Sequence, residues 1–359
     1  MLQFVGRRIL LALPVLFGIL VATFLLARMI PGDPCRSLLG ERATQEACDR
    51  FAEAKGLNDP LPVQLGIYIK DVAQGDFGDS IRFSRPVSQI LIERLPLTIE
   101  LSVAALAIAL LIGIPLGIIA AMKHNSAVDV GTMMFANVGV SMPVFWLGLL
   151  LAYLFALVLR DTPIALPPSG RLTAGLISLP FFEKWGWDLQ DGTLPHTILE
   201  FISNHFIFNS FITGDWRLFW DGIQHLILPA VALSTIPMAI IARMTRSSLL
   251  DVLGRDYVRT ARAKGAPERR VVVRHALRNA MLPVVTIIGL QLGALLSGAV
   301  LTETVFGLAG AGTMLFEAIT ARDFPIIQAF TVVIAAGYVI INLIVDVSYA
   351  YFDPRVRLE

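Results

Sequence analysis

Charge is scarce in this chain. Lys, Arg, Asp and Glu make up only 16% of its 359 residues, where soluble domains carry about 25%, and a soluble globular fold is thereby excluded. Cysteine is nearly absent, with Cys35 and Cys48 alone, so one bridge is the most the chain can form. No G-x4-G-K-[ST] stretch occurs, so the chain does not bind ATP by that route. His196, His205 and His225 have no metal-ligand spacing and read as polar surface. The basic residues are scattered, and their densest cluster adjoins apolar runs, which argues against a nucleic-acid partner. No nucleophile, carboxylate pair or metal cluster appears at membrane depth, as a membrane-embedded enzyme would need.

What the chain has in abundance is apolar sequence: 55% of residues are hydrophobic and the mean hydropathy is +0.70. A membrane span needs roughly 20 mostly apolar residues, and in lipid such a run must be a helix. Six candidate spans follow in order: Ile9 to Ala27, Pro96 to Ala121, Val130 to Leu157, Gln224 to Ala242, Pro283 to Val305 and Pro325 to Tyr349. The first has a basic flank, Arg7-Arg8, like a signal peptide. Its core is too long for one and lacks a small-x-small cleavage site, so it reads as an uncleaved anchor. Two long hydrophilic segments interrupt the series, 29–95 and 159–222. The second holds Trp185, Trp187, Trp216 and Trp220, which suits a position against the bilayer surface. Its apolar piece from Pro195 to Thr213 contains Glu200, Asn204, His205 and Asn209 and is not expected to span.

Six spans put both termini and the 243–282 loop on one side. That side carries 15 Lys and Arg against 6 Asp and Glu, and the opposite segments carry 14 against 21. Ten of the basic residues fall within 243–282, close to helix ends, which makes this side cytoplasmic by the positive-inside rule. The segment with Cys35 and Cys48 is then external, where oxidation is permitted. A bridge between them would stabilise by about 3 kcal/mol.

Gly265-Ala266-Pro267 divides the basic loop, about 244–282, into two expected helical pieces. The first, Asp251 to Lys264, sets Arg255, Arg259 and Arg262 on one face, away from Tyr257, Val258 and Ala261. The second sets Arg270, Arg274 and Arg278 apart from Val273, Leu277 and Ala280. Helices this short are marginal alone in water and need a surface. Lipid headgroups and a protein partner anchored by Tyr257 both remain open on these residues alone.

The chain also carries a family resemblance in YVRTARAKG at 257–265 and RHALRNAMLP at 274–283. PGDP at 31–34, QGDFGDS at 74–80, RPVSQILIERLPLTIEL at 85–101, SMPVFWLG at 141–148, LPPSGR at 166–171, HLILPA at 225–230 and TETVF at 302–306 extend it along nearly the whole chain. Together these resemble the permease subunits of binding-protein-dependent ABC importers of the dipeptide, oligopeptide and nickel type. The resemblance implies an all-α membrane protein with six transmembrane helices and cytoplasmic coupling helices. Its regions would be an anchor helix and external segment (1–95), a permease core (96–349) with an external insertion at about 159–222, and a cytoplasmic tail (350–359). The insertion looks longer than the family usually has. In place of the general EAA-x3-G pattern stand Arg259, Thr260, Ala261 and Gly265, without the acidic residue.

By the same resemblance, Asp256, Tyr257, Val258, Arg259, Thr260, Ala261, Arg262, Ala263, Lys264 and Gly265 would couple to ATPase subunits. The implied partners are a second permease subunit, two ATP-binding subunits holding ATP and Mg, and an external solute-binding protein, with no cofactor on this chain. Asn137, Ser141, Ser234, Thr235 and Gln291 have the depth and polarity for a translocation pathway. Peptides are the expected cargo, with nickel chelate, glutathione or a sugar as alternatives. An ion-coupled secondary transporter would be expected to carry ionisable groups at mid-membrane, whereas Arg28, Glu100, Arg160, Arg243 and Asp346 lie near span ends.

Overall fold

The computed structural model describes residues 2–29, 43–54 and 58–352, and these fold into helices without a strand. Five helices are long and apolar enough to cross a membrane, or six if one bent pair is a single span. The helices are α1 (Leu2–Met29), α2 (Gln45–Ala54), α3 (Leu61–Ala73), α4 (Val87–Met122), α5 (Ala127–Ser141), α6 (Val144–Tyr153), α7 (Phe181–Lys184), α8 (Leu194–Ser203) and α9 (Phe206–Ile212). After them come α10 (Trp216–Leu253), α11 (Asp256–Ala263), α12 (Glu268–Arg270), α13 (Leu277–Gly298), α14 (Val300–Val305), α15 (Ala311–Ala321) and α16 (Phe324–Phe352).

The bundle is built on α4 and α10, which run parallel at close range. Gly113 and Gly117 make this possible. A Cβ at Gly113 would stand 2.8 Å from the Met238 carbonyl oxygen, and one at Gly117 would stand 2.6 Å from that of Ala242. In lipid, where burying apolar surface between helices gains nothing, small residues that admit such approach drive association. Leu97, Leu101, Ala105 and Ala109 of α4 complete the seam with Leu226, Leu233 and Ile241 of α10.

Ion pairs mark the two ends of this pair. Arg246 Nε and Nη2 donate to Asp129 Oδ1 and Oδ2, both at 2.7 Å. At the other end Arg171 Nη2 donates to Glu100 Oε2 at 2.9 Å, and the Arg171 guanidinium lies 3.6 Å from the Phe206 ring centroid. Burial lowers the Arg171 pKa, and the Glu100 carboxylate opposes that shift.

The expected continuous span from Val130 to Leu157 is instead broken. α5 and α6 meet at 93°. Pro143 has no N–H to continue the helix, and it forces the preceding residue out of the helical region; Met142 accordingly sits at φ −103°, ψ 132°. The pair still crosses the bundle. It starts beside Arg246, and the segment after it returns to Glu100 and to Phe306, whose carbonyl accepts from Gly170 N at 2.8 Å. That makes six crossings.

Three further expectations shift at their edges. α4 starts at Val87, ahead of Pro96, because Val87, Ile90 and Leu91 pack against α15 and α16. α10 continues past Ala242 to Leu253, since Leu249 is buried beside Ala121, so the basic loop proper starts only at Gly254. The span expected to end at Val305 stops at Gly298, with a break before α14.

Beyond the bundle, 194–212 forms two short helices, α8 and α9. Asn209 ties them down: its Oδ1 accepts from Phe181 N at 2.9 Å, and its Nδ2 donates to Ser178 Oγ and the Leu179 carbonyl. His225 is not surface as expected; it is buried, with Nδ1 donating to the Asp221 carbonyl at 2.8 Å. α1 joins the bundle mainly along α16. Arg8 pairs with Asp346 at 3.1 Å near one end, and Gln328 Nε2 donates to the Thr23 carbonyl near the other. The start of α1 and the end of α16 therefore lie at the Arg246 end. Cys48 is buried, while Cys35 lies outside the described residues.

The α4–α10 contact yields a test. Gly117→Ala should lower thermal stability in detergent by about 1–3 kcal/mol, the usual cost of overpacking against backbone. Gly131→Ala, where a Cβ would meet nothing within 4 Å, should leave the unfolding midpoint unchanged. Equal midpoints for both variants would remove the close approach as the organising contact.

Candidate functional site

At the basic end, Gly254 releases the chain from α10 and α11 begins two residues later. The apolar underside of α11 is part of the bundle: Val258 is fully buried among Leu249, Val271, Val272 and Ala276, with Ala261 packed at the edge. The outward face of α11 is charged and solvated, with the Asp256 side chain 96% exposed and that of Arg259 72% exposed. Thr260, Ala263 and Lys264 are exposed as well.

The turn after α11 is pinned from both sides. Gly265 has φ +76° with open space around it, a left-handed position that closes the helix and that glycine occupies without strain. Across the turn, Arg262 Nε and Nη2 donate to Glu268 at 3.1 and 2.7 Å, and the carboxylate raises the Arg262 pKa. Tyr257 is 42% exposed, and its hydroxyl accepts from Asn279 Nδ2 at 2.7 Å. Tyr257 is thus held against the first turn of α13 with one ring face outward.

The second expected piece has a different register. A wider, π-helical turn spans Val271–Ala276, where hydrogen bonds reach one residue further than in an α-helix. It brings Val271, Val272, Ala276 and Ala280 to the inner face and leaves Val273 56% exposed. The expected pairing of Val273 with Leu277 and Ala280 is therefore corrected: only Ala280 is fully buried. Arg270, Arg274 and Arg278 are exposed as expected.

The five polar residues singled out at membrane depth do not converge. Gln291 lines a cavity of about 330 Å³ with Val144, Phe145, Ile236, Pro237 and Thr302, directly beside the α5–α6 break. Ser234 and Thr235 are buried, and each donates to its own helix, at the carbonyls of Val231 and Ala232. Asn137 and Ser141 stand exposed on α5, where Ser141 Oγ donates to the Asn137 carbonyl. A second cavity, of about 450 Å³, lies between the segment that follows α6 and the start of α10, lined by Phe155, Arg160, Pro167, Pro168 and Gln224.

Three carboxylates not singled out from the sequence are buried, Asp129, Glu303 and Asp323. Glu303, within the TETVF motif, is fully buried. Its Oε1 accepts from Thr98 Oγ at 2.6 Å, and its Oε2 accepts from Thr313 N at 2.8 Å. It thereby sits on the N-terminal turn of α15, where the helix dipole favours an anion. The Thr98 hydroxyl also accepts from Ala311 N at 2.8 Å. The one local signal was an acid close to the glycines of FGLAGAG, which leave room for it: a Cβ at Gly310 would stand 2.4 Å from Glu303 Oε1.

Comparison with known proteins gives a consistent answer. Residues 113–358 match the family described as "Binding-protein-dependent transport system inner membrane component". Residues 1–102 match its N-terminal companion. The chain is 44% identical over 357 residues to the dipeptide transport system permease protein DppB of Alkalihalophilus pseudofirmus, covering 99% of this chain and 100% of that one. It is 42% identical over 362 residues to the di/tripeptide transport system permease protein DppB of Pseudomonas aeruginosa, 99% of each. It is 37% identical over 358 residues to the oligopeptide transport system permease protein AppB of Bacillus subtilis, 99% of this chain and 100% of that one.

Thr98→Val should strip Glu303 of one donor and leave the Ala311 N–H without an acceptor. The expected loss is about 1–3 kcal/mol for the unpaired buried groups, read as a lower unfolding midpoint in detergent. Thr320→Val, on the exposed side of α15, should leave the midpoint where it is.

Proposed function

The chain belongs to the family of binding-protein-dependent transport system inner membrane components, and on that premise we propose that it forms one half of the membrane pathway of an ATP-driven peptide importer. It is a multi-pass inner-membrane permease subunit and not an enzyme. ATP is hydrolysed on two partner subunits, a second permease subunit completes the pathway, and an external solute-binding protein delivers the cargo. The cargo is di- or oligopeptide, in line with what the relatives' names say those proteins carry. The basic end, with both termini, is cytoplasmic.

The observation that carries this reading is the construction of 256–265. A short helix ordinarily marginal in water is held rigid by Val258 beneath it and turns a charged face outward. It hangs from α10, whose other half lines both cavities. This is the arrangement a surface needs if force applied to it is to reach the pathway. Exposed Tyr257, Arg259 and Lys264 meet the ATPase subunit, and the Arg262–Glu268 bridge keeps the turn from yielding. The pathway follows the α6–α10 seam, from the cavity at Arg160 and Gln224 to the one at Gln291. Asn137 and Ser141 contribute from the far side of the break, and Ser234 and Thr235 serve helix packing.

Gly265→Pro cannot keep φ near +76°, because the pyrrolidine ring fixes φ near −65°; Tyr257→Ala removes the exposed ring. Both variants should insert normally, retain less ATPase subunit on co-purification and lose peptide uptake in liposomes. Full assembly and uptake in both would return the loop to a role at lipid headgroups, and uptake on an ion gradient without ATP would refute the importer reading.

Cys35 and Cys48 are proposed to be bridged. Alkylation should then add mass only after reduction, and equal mass shifts with and without reductant would exclude the bridge.

A further inference from the structure

Asp129 and Arg246 connect two segments that the importer reading sets in relative motion. Arg246 lies on α10 one turn before Leu249, and Leu249 packs on Val258 of the coupling helix. Asp129 lies in the first turn of α5. Their contact is bidentate, two N–H···O bonds of 2.7 Å each, the geometry that best fixes direction as well as distance. The Asp129 side chain is 5% exposed and that of Arg246 27%. The carboxylate does more than pair: its Oδ2 also accepts from Asn125 N at 3.0 Å. This draws the 123–126 turn, with Asn125 at φ +58°, onto the same point.

From this fixed end, α5 stays on α10 for its whole length. Ala136 packs with Ala239 and Ala242, and Gly139 lies so close to Thr235 that a Cβ would stand 2.7 Å from that residue's Cβ. After the break, α6 keeps contact with α10 and adds contact with a second body, α14. Gly148 of α6 faces Phe306 and Val305, next to the Glu303 junction at the opposite end of the bundle. Between the two bodies lie the 93° bend at Met142–Pro143, Pro237 within α10 and the 330 Å³ cavity that both adjoin. Space and two prolines meet at one level, which is where a hinge requires them.

We propose that the Asp129–Arg246 pair is the clasp that makes α5 travel with the cytoplasmic half of α10, so that movement of the docked coupling helix bends the chain at Met142–Pro143 and opens or closes the pathway beside Gln291. Both are positioning residues and touch no cargo. The clasp rests on the importer reading and adds to it the route by which ATPase movement reaches the pathway.

The test uses the whole importer, with its partner permease, ATPase subunits and binding protein, reconstituted in liposomes with a dipeptide as cargo. Asp129→Ala and Arg246→Ala should retain co-purifying ATPase subunits and hold ATP hydrolysis within about twofold, while ATP consumed per peptide imported rises about tenfold, within the usual span of coupling between sites. The exchanged pair, Asp129→Arg with Arg246→Asp, should recover a substantial part of the lost uptake. Single variants that import at the unsubstituted ATP cost overturn the clasp. So do single variants that shed the ATPase subunits in step with their lost uptake, and an exchanged pair no better than either single. If the unsubstituted chain neither retains ATPase subunits nor imports peptide on ATP, the importer reading falls and the clasp with it.

Discussion

Gly113 and Gly117 bring the backbone of α4 against the carbonyls of Met238 and Ala242, and the other parts of the bundle take their positions from that approach. Lipid offers no drive to bury leucines, so shape alone must hold the helices. Once α4 and α10 are in register, their ends are fixed, and each end receives an ion pair from a neighbouring segment. Asp129 arrives at one and Arg171 at the other. The bent α5–α6 pair has to run between those two points, and the break at Pro143 lets it do so while leaving a cavity on the inside of the bend.

The apolar runs made the spans legible, and the helix end at Gly265 could be read from Gly-Ala-Pro. The edges were less visible, for identifiable reasons. Residues 243–253 carry charge, yet Leu249 continues a buried stripe, so α10 passes through what looked like loop. Val273 sits where an α-helical repeat would turn it inward, but the wider turn at 271–276 shifts the register, and nothing in VVVRHA announces it. Pro143 could be seen, whereas the difference between a kink and a 93° break depends on what packs around it. Ser234 and Thr235 have pathway-like polarity, but a hydroxyl can satisfy itself on its own helix, and both do. Asp129 and Arg246 are 117 residues apart, and a pair at that distance leaves no periodic trace.

The helix at 256–263 shows how firmly so short a piece can be held. α11 contributes Val258 to the interior and shares its turn with Glu268, so its outer face inherits the stiffness of the bundle end. A floating amphipathic helix would absorb a push by tilting. This one is braced against tilting, because its underside is continuous with the core around Leu249 and Ala276. The Glu303 junction plays the complementary part at the far end, tying α4, α14 and α15 together through Thr98 and Thr313.

The attachment of α1 has a consequence for how the molecule is made. Its principal neighbour is α16, through Arg8 with Asp346 and Thr23 with Gln328, and those partners are more than three hundred residues away along the chain. The ribosome delivers α1 long before α16. Until α16 has been made, α1 therefore waits in lipid without its principal partner.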